Sequence, residues 1–174
     1  MLVSHAATEA IRLSRFPDDE SLNEVGRRDC AKFLPLMADR VLCGPERRTV
    51  ETAEALSADA KPDEGLRDLD IGRWRGSTLD EIAPLELDAW LTDPTAAPHG
   101  GESIVDLVTR VREWQDYLTI GRDSVLAVTH PAVIRAMIMI ALDAPPQAFW
   151  RIDIPPLGET RLHHRVSWTL RSTR

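Results

Sequence analysis

The chain has 174 residues, of which 43% are hydrophobic and 28% are charged. This length and composition predict a single globular domain over residues 1–174 and argue against a disordered chain. The formal net charge of −7 excludes a strongly basic surface for nucleic acid, and it provides no attraction to an anionic membrane. We therefore expect neither nucleic acid nor a membrane as a partner.

The first half of the chain alternates short apolar runs with helical periodicity. The elements predicted there are, in order, a strand over 1–3, a loop over 6–20, a helix over 22–37, a strand over 40–43, a helix over 46–58 and an extended segment over 66–71. Gly72 and Gly76 then mark a loop.

The second half has clearer boundaries. Ser103 followed by Asp106 resembles a capping box, and Pro131 suits the first position of a helix. The elements predicted there are a helix over 78–91 split at Pro84, a connection over 92–101, a long helix to about residue 120, a strand over 124–129, a helix over 131–142, a short helix over 147–150 and a strand over 166–170. Strands that alternate with helices predict an α/β fold, a three-layer, mostly parallel sheet with helices on both faces.

The two cysteines, Cys30 and Cys43, have no CxxC spacing. They predict neither a disulfide framework nor a zinc site, and reduced thiols are typical of intracellular proteins. The sequence also has no signal-peptide pattern and no apolar run near the ~20 residues that a membrane span needs. A cytoplasmic protein is expected.

Unusual side chains follow four of the predicted strands or extended segments. They are His5, the pair Arg47 and Arg48, Asp68, and His130. Each alone is more often structural, as a hydrogen-bonded histidine, a solvated arginine or a capping aspartate. Because ligands of open α/β sheets bind at the carboxyl ends of the strands, the four together predict a functional site at that edge.

Six segments between residue 2 and about residue 135 follow one another in a recognisable order. They are Ser4-His5-Ala6 with Thr8, residues 22–26, residues 44–54, residues 66–76, Gly101-Glu102-Ser103 with Arg110, and Val128-Thr129-His130-Pro131 with Arg135. Together they resemble the motifs of the histidine phosphatase superfamily, in its phosphoglycerate mutase-like branch that includes small α-ribazole phosphatases. The resemblance implies a phosphoglycerate mutase-like fold, and the short segment between Trp74 and Gly101 implies a small cap.

The resemblance also implies a role for each candidate residue. His5 corresponds to the nucleophile that forms a phosphohistidine, and Asp68 to the acid/base, a role that requires surroundings that raise its pKa. The matching motif selects Arg48 over Arg47 as a phosphate ligand and makes His130 both a phosphate ligand and a catalytic residue. No metal or other cofactor is implied, and the expected partner is phosphate or a small phosphorylated molecule.

The first motif departs from the family pattern. The arginine before the nucleophile is Ser4 here, the glycine after it is Ala6, and an asparagine of the phosphate pocket corresponds to Ile11. Losing one preorganised donor typically lowers a rate about 10²–10³-fold. The side chains that we consider as replacement phosphate ligands are Ser4, Thr8, Arg12 and Arg15, although both of these arginines equally fit a solvent-facing position.

Three functions fit this constellation. The leading hypothesis is a phosphomonoester hydrolase of the histidine phosphatase type, impaired by the loss of one phosphate-binding arginine. The second is a catalytically inactive pseudophosphatase that binds phosphorylated ligands. The third interprets His5, His130 and Asp68 as a metal site of the two-histidine, one-carboxylate type.

Three tryptophans and the C-terminal tail carry no predicted chemistry. We expect Trp74, Trp90 and Trp150 to pack in the core, with a pocket mouth or a homodimer contact as the alternatives. The tail after Pro156, which contains His163 and His164, resembles a closing pair of strands.

Overall fold

One mixed sheet runs through the protein, and in the described part of the chain it has six strands. The computed structural model describes residues 1–33, 36–56, 59–119 and 123–173. The strands are β1 (Leu2–Ser4), β2 (Arg40–Cys43), β3 (Lys61–Pro62), β4 (Val125–Thr129), β5 (Glu159–His164) and β6 (Trp168–Thr173). Their order across the sheet is β3-β2-β4-β1-β5-β6. The first four pair in parallel, and β5 and β6 add an antiparallel edge.

Helices cover this sheet and connect its parallel strands. The α-helices are α1 (Glu9–Arg12), α2 (Glu24–Cys30), α3 (Arg47–Leu56), α4 (Pro84–Thr92), α5 (Ile104–Leu118) and α6 (Pro131–Ala141). Short 3-10 helices lie at Glu64–Leu66, Gly72–Trp74, Leu79–Glu81 and Pro146–Arg151. None of the helices in the described ranges is long and apolar enough to cross a membrane.

Alternate residues of the central strands face two separate apolar clusters, as the two-residue period of a strand requires. Leu2 and Ala127 point to the larger cluster, which is completed by α5 and α6. Val3 and Val128 point to the opposite cluster, where Ala53 of α3 packs. The sheet is therefore buried between helices on both faces, and this confirms the predicted three-layer α/β fold.

Local sequence signals determine where α5 and α6 begin. Ser103 and Asp106 form the predicted capping box of α5, in which the Ser103 Oγ accepts from the Asp106 N–H at 3.1 Å. Pro131 begins α6 directly after His130, as expected for a residue that has no N–H to satisfy. The split at Pro84 is also confirmed, because this residue begins α4.

Several predicted boundaries differ from the structure. The predicted loop over 6–20 contains α1, which was missed because it has only four residues and begins at the Thr8 cap. The helix predicted over 22–37 begins at Glu24 and ends at Cys30. The segment predicted as extended from residue 66 begins at the last residue of a 3-10 turn, Glu64–Leu66, which Asp63 caps. The predicted helix ends at residues 58 and 120 lie outside the described residues.

Aromatic side chains pack together where α4 meets the 3-10 helices at Gly72–Trp74 and Pro146–Arg151. Trp74 and Trp90 are 2% and 8% exposed, and their ring centroids lie 5.5 Å apart. Trp150 is half-buried and contacts Trp90 at 4.4 Å. Core packing, the expected role, accounts for the burial of these residues. Cys30 and Cys43 are also buried, as free thiols, and burial raises the pKa of both.

Candidate active site

Two histidines meet at the carboxyl edge of the sheet. His5 follows β1 and His130 follows β4, and these neighbouring strands pair in parallel with Ser4 opposite Thr129. The ring centroids of the two histidines are 5.3 Å apart, and the rings are 5% and 0% exposed. The sheet register therefore brings the two histidines together, although 125 positions separate them in the sequence.

The His5 ring is held in one orientation by its own backbone. Its Nδ1 lies 2.8 Å from the Ala6 carbonyl oxygen, which can only accept, so Nδ1 carries the hydrogen and Nε2 keeps a free lone pair. Burial, together with the charges of His130 and Arg48, lowers the pKa of His5 to about 3. At neutral pH the ring is therefore uncharged, and its Nε2 lone pair is free to act as a nucleophile.

A buried arginine, Arg48, lies in the first turn of α3, where its charge acts on His5. The Arg48 Nη2 donates to the Asp68 Oδ2 at 2.7 Å. Its Nε and Nη1 are buried, and neither has a hydrogen-bond partner among the described residues. The guanidinium thus has donors available for a bound anion, at a helix N-terminus that itself favours negative charge.

Asp68 links the arginine to the second histidine. Its Oδ2 is 3.3 Å from the His130 Nδ1 as well as 2.7 Å from Arg48, and its Oδ1 accepts from the Leu69 N–H at 2.8 Å. Burial by itself raises the pKa of this carboxyl, but the charges on His130, Arg48 and His5 outweigh it and lower the pKa to about 2. The carboxyl therefore lacks the raised pKa that an acid role requires.

Glu46 belongs to the same cluster of side chains as Asp68 and His130, and it was not among the residues predicted from the sequence. Its Oε2 lies 2.7 Å from the His130 Nε2, and its Oε1 accepts from the Asp68 N–H at 2.9 Å. Burial raises the pKa of Glu46, but the hydrogen bond from His130 outweighs that effect and the pKa is lowered. The negative charge of this carboxylate lies directly beside the residues that would hold a phosphate.

Gly44 makes room for the contact between Glu46 and His130. A Cβ at this position would lie 2.9 Å from the Glu46 Oε2, 2.9 Å from the Leu66 carbonyl oxygen and 3.0 Å from the His130 Nε2. These separations are too short for any side chain. The glycine therefore allows the Glu46 carboxylate and the His130 ring to approach each other.

Two further residues hold the site's backbone in place. The Thr52 Oγ1 accepts from the Ala6 N–H at 3.0 Å and donates to the Arg48 carbonyl oxygen at 2.6 Å. Arg110 donates to both carboxylate oxygens of Glu102, at 2.8 and 2.9 Å, and to the Asp68 carbonyl oxygen at 3.3 Å. These bonds fix the segments that carry His5, Arg48 and Asp68.

The other predicted phosphate ligands have different surroundings. The Ser4 Oγ is buried and has no hydrogen-bond partner in the described part of the chain. The Thr8 Oγ1 caps α1 by accepting from the Ile11 N–H at 3.4 Å. Arg12 is exposed and pairs with Glu9, and Arg15 is exposed too. The structure therefore does not bring either arginine to the histidines.

A small cavity of about 150 Å³ opens beside Arg48 and Asp68. Its charged lining residues are Asp19, Glu46, Asp70, Arg67 and Arg75 in addition to these two. Arg67 and Arg75 are partly exposed, at 39% and 56% of their side chains, and each has one carboxylate partner, Glu102 and Asp70 respectively. The cavity thus offers both signs of charge to a small polar ligand.

The metal-site hypothesis gains no support from this geometry. Among the described residues, no group of three or more histidine, cysteine, aspartate or glutamate side chains is arranged to hold a metal ion. The His130 Nε2 is hydrogen-bonded to Glu46 and is not free to hold a metal ion.

Comparison with known proteins agrees with the geometry. The model of the histidine phosphatase superfamily (branch 1) matches residues 1–171. The chain belongs to this superfamily. A bifunctional protein of Mycobacterium tuberculosis is 32% identical over 170 residues, which cover 88% of this chain and 47% of the relative. This chain therefore spans about half the length of that relative.

Proteins named as phosphatases are similar to this chain along most of their length. A glucosyl-3-phosphoglycerate phosphatase of M. tuberculosis is 32% identical over 173 residues, 87% of this chain and 74% of the relative. The solved structure of a mycobacterial glucosyl-3-phosphoglycerate phosphatase in complex with VO3 has a TM-score of 0.83 at 28% identity, covering 98% of this chain and 95% of that one. A phosphoserine phosphatase mutant from Entamoeba histolytica in complex with phosphoserine has a TM-score of 0.88 at 21% identity, covering 99% and 94%, and shows the fold alone.

Proposed function

We propose that this chain is a phosphomonoester hydrolase that works through a phosphohistidine on His5. The observation that carries the proposal is a neutral, buried imidazole next to a buried guanidinium with two unused donors. Such a pair provides a nucleophile for phosphorus and a ligand for the oxygens around it. The phosphatases among the superfamily relatives support the same reaction class.

In the first step the phosphoryl oxygens accept hydrogen bonds from Arg48 and from His130. The His5 Nε2 attacks phosphorus in line, so an N–P bond forms as the P–O bond to the leaving alcohol breaks. Asp68 gives a proton to the leaving oxygen. In the second step Asp68 takes a proton from water, whose oxygen attacks the phosphohistidine and releases inorganic phosphate.

Bound phosphate changes the charge around Asp68 in the direction that this mechanism needs. In the unliganded site Arg48 is paired with Asp68, and the pKa of that carboxyl is low. A phosphoryl group on Arg48 competes for the guanidinium and places further negative charge near the carboxylate. Both effects favour protonation of Asp68, so the acid is created by substrate binding.

For the substrate, we propose a small organic phosphomonoester. A cavity of about 150 Å³ suits a compact molecule, and Arg67 and Arg75 provide cations at its wall for a second anionic group. Two relatives are named glucosyl-3-phosphoglycerate phosphatase and phosphoserine phosphatase, and the substrates in these names belong to this chemical class. The net charge of −7 supports a protein without nucleic-acid or membrane partners. The free cysteines Cys30 and Cys43 fit the cytoplasmic location that we propose.

The second candidate function is a pseudophosphatase that binds phosphorylated ligands without turnover. Two observations favour it: Ser4 stands where the family pattern has an arginine, and the Glu46 carboxylate lies within the phosphate-binding cluster. Both reduce the positive charge that stabilises a phosphoryl transition state. His5 would then serve only to shape the binding site.

One experiment separates the two functions. The wild-type chain and the His5→Ala variant are incubated with p-nitrophenyl phosphate, and wild-type protein quenched during turnover is searched by mass spectrometry for a phosphoryl group on His5. Hydrolysis that disappears in the variant, with an adduct on His5, supports the hydrolase. Saturable binding of inorganic phosphate without hydrolysis overturns it in favour of the pseudophosphatase.

A further inference from the structure

A second, larger cavity lies at the opposite edge of the sheet. Its volume is about 480 Å³, which is within the range of small-molecule sites. It is bounded by the beginnings of β1 and β4, the C-terminal half of α5 and the hairpin of β5 and β6. Because His5 and His130 follow the other ends of β1 and β4, this cavity is separate from the candidate active site. We name it the Gln115 cavity.

A buried amide lines this cavity. The Gln115 side chain is 1% exposed, and neither its Oε1 nor its Nε2 has a hydrogen-bond partner within the described ranges. An unpaired buried amide destabilises a fold, and Leu107 and Val111, on the preceding turns of the same helix, are fully buried apolar residues. An apolar side chain would therefore suit this position better unless a ligand completes the amide's hydrogen bonds.

The hairpin contributes aromatic rings and a second unused donor. Trp168 and His164 line the cavity, and their ring centroids are 5.0 Å apart at an interplanar angle of 52°. The Trp168 Nε1 is buried and has no acceptor among the residues that the structure describes. The cavity thus combines flat aromatic rings with two donors and one acceptor that are buried and have no partner among the described residues.

We propose that the Gln115 cavity binds a planar nitrogen heterocycle of the nucleobase class. A glutamine amide offers an acceptor and a donor side by side, and it pairs with an adenine edge, which carries an amino donor next to a ring-nitrogen acceptor. The rings of Trp168 and His164 provide surfaces on which such a flat molecule stacks. A phosphate group is not part of this recognition, so the site is independent of the proposed phosphatase function.

The test uses adenosine, which lacks the phosphate that the candidate active site would bind. Isothermal titration calorimetry compares wild-type protein with Gln115→Leu, which keeps a similar volume but removes the amide. Purine riboside, which lacks the amino donor, is the matched control ligand. We expect adenosine to bind wild type. Adenosine should bind Gln115→Leu about tenfold or more weakly, and purine riboside should bind wild type about tenfold or more weakly than adenosine does.

A second variant addresses the hairpin side. Trp168→Phe keeps a ring for stacking but removes the indole N–H, and we expect it to weaken adenosine binding less than Gln115→Leu does. Far-ultraviolet circular dichroism and p-nitrophenyl phosphate hydrolysis, both expected to be unchanged, show that each variant is folded. No binding of adenosine to wild type at about 1 mM, or equal binding by folded Gln115→Leu, overturns the proposal.

Discussion

The two sides of the candidate active site are built differently. On the α3 side, Arg48 is buried, its carbonyl oxygen is bonded to Thr52, and Arg110 holds the neighbouring backbone of Asp68. On the β1 side, the residue before His5 is Ser4, whose buried hydroxyl has no partner among the described residues. The α3 side therefore carries a buried guanidinium held by hydrogen bonds, and position 4 on the β1 side carries no charge.

Under the proposed function, this asymmetry predicts which interactions carry phosphate binding. With Ser4 in place of the expected arginine, Arg48 is the buried guanidinium of the described cluster, and its charge is opposed by Asp68 and Glu46. Cationic donors at a phosphoryl group stabilise the charge of the transition state. Activity should therefore depend strongly on Arg48 and respond to any cation added at position 4.

The largest expected effect is that of removing the Arg48 guanidinium. Arg48→Ala should lower kcat/KM for p-nitrophenyl phosphate about 10³-fold or more, because no other buried guanidinium in the described cluster replaces it. Arg48→Lys should recover only part of the loss, because a lysine keeps the charge but not the planar fork. A loss below about tenfold in Arg48→Ala would mean that phosphate binds elsewhere.

The next effect comes from adding a cation to the neutral side. Ser4→Arg should raise kcat/KM about 10²-fold by restoring the missing donor, and Ser4→Ala, the matched uncharged control, should remain near wild type. Steady-state kinetics measure both, with thermal unfolding to show that each variant is folded. A rate that falls about tenfold or more in folded Ser4→Ala would show instead that the hydroxyl itself binds phosphate.

The pH dependence of stability tests whether His5 is buried in its neutral form. The pKa of His5 is about 3 in the folded protein and 6.5 in its unperturbed state. Below pH 6.5 the unfolded chain takes up a proton that the folded chain does not, so stability falls as the pH decreases from 6.5 towards 3. From this group alone we expect a loss of about 2 kcal/mol at pH 5 relative to neutral pH.

The control is His5→Asn, which removes the titrating ring. Urea unfolding at pH 7 and pH 5 should give a smaller pH-dependent loss for this variant than for wild type. At lower pH, protonation of Asp68 removes further stability in both proteins, because its folded pKa of about 2 lies below the unperturbed 3.8. Identical pH profiles between pH 7 and pH 5 would mean that His5 is already charged or solvated in the fold.

Much of the site could be predicted because its residues follow strand ends. The positions of His5 and His130 after apolar strands were enough to predict that they share one edge, and the parallel register of β1 and β4 confirms this. The capping box at Ser103 and the helix start at Pro131 were equally visible, because both depend on residues close in sequence. Short-range signals of this kind predict local structure well.

The features that were missed depend on contacts between distant parts of the chain. Glu46 meets His130 across 84 positions, and it occupies a variable position of its motif, so no local pattern distinguishes it. The low pKa of Asp68 arises from three charges on separate elements. The unused amide of Gln115 becomes visible only when its surroundings in the fold are known.

The smallest expected effect concerns the carboxylate that opposes phosphate binding. Glu46→Gln keeps the size of the side chain but removes one negative charge next to His130, so we expect KM for p-nitrophenyl phosphate to fall about three- to tenfold. Gly44→Ala is the companion variant, since its Cβ would displace both Glu46 and His130. It should lower kcat instead, because it moves a phosphate ligand out of position. A higher KM in Glu46→Gln would show that Glu46 assists phosphate binding by orienting His130, and the asymmetry of the site would then lie in Ser4 alone.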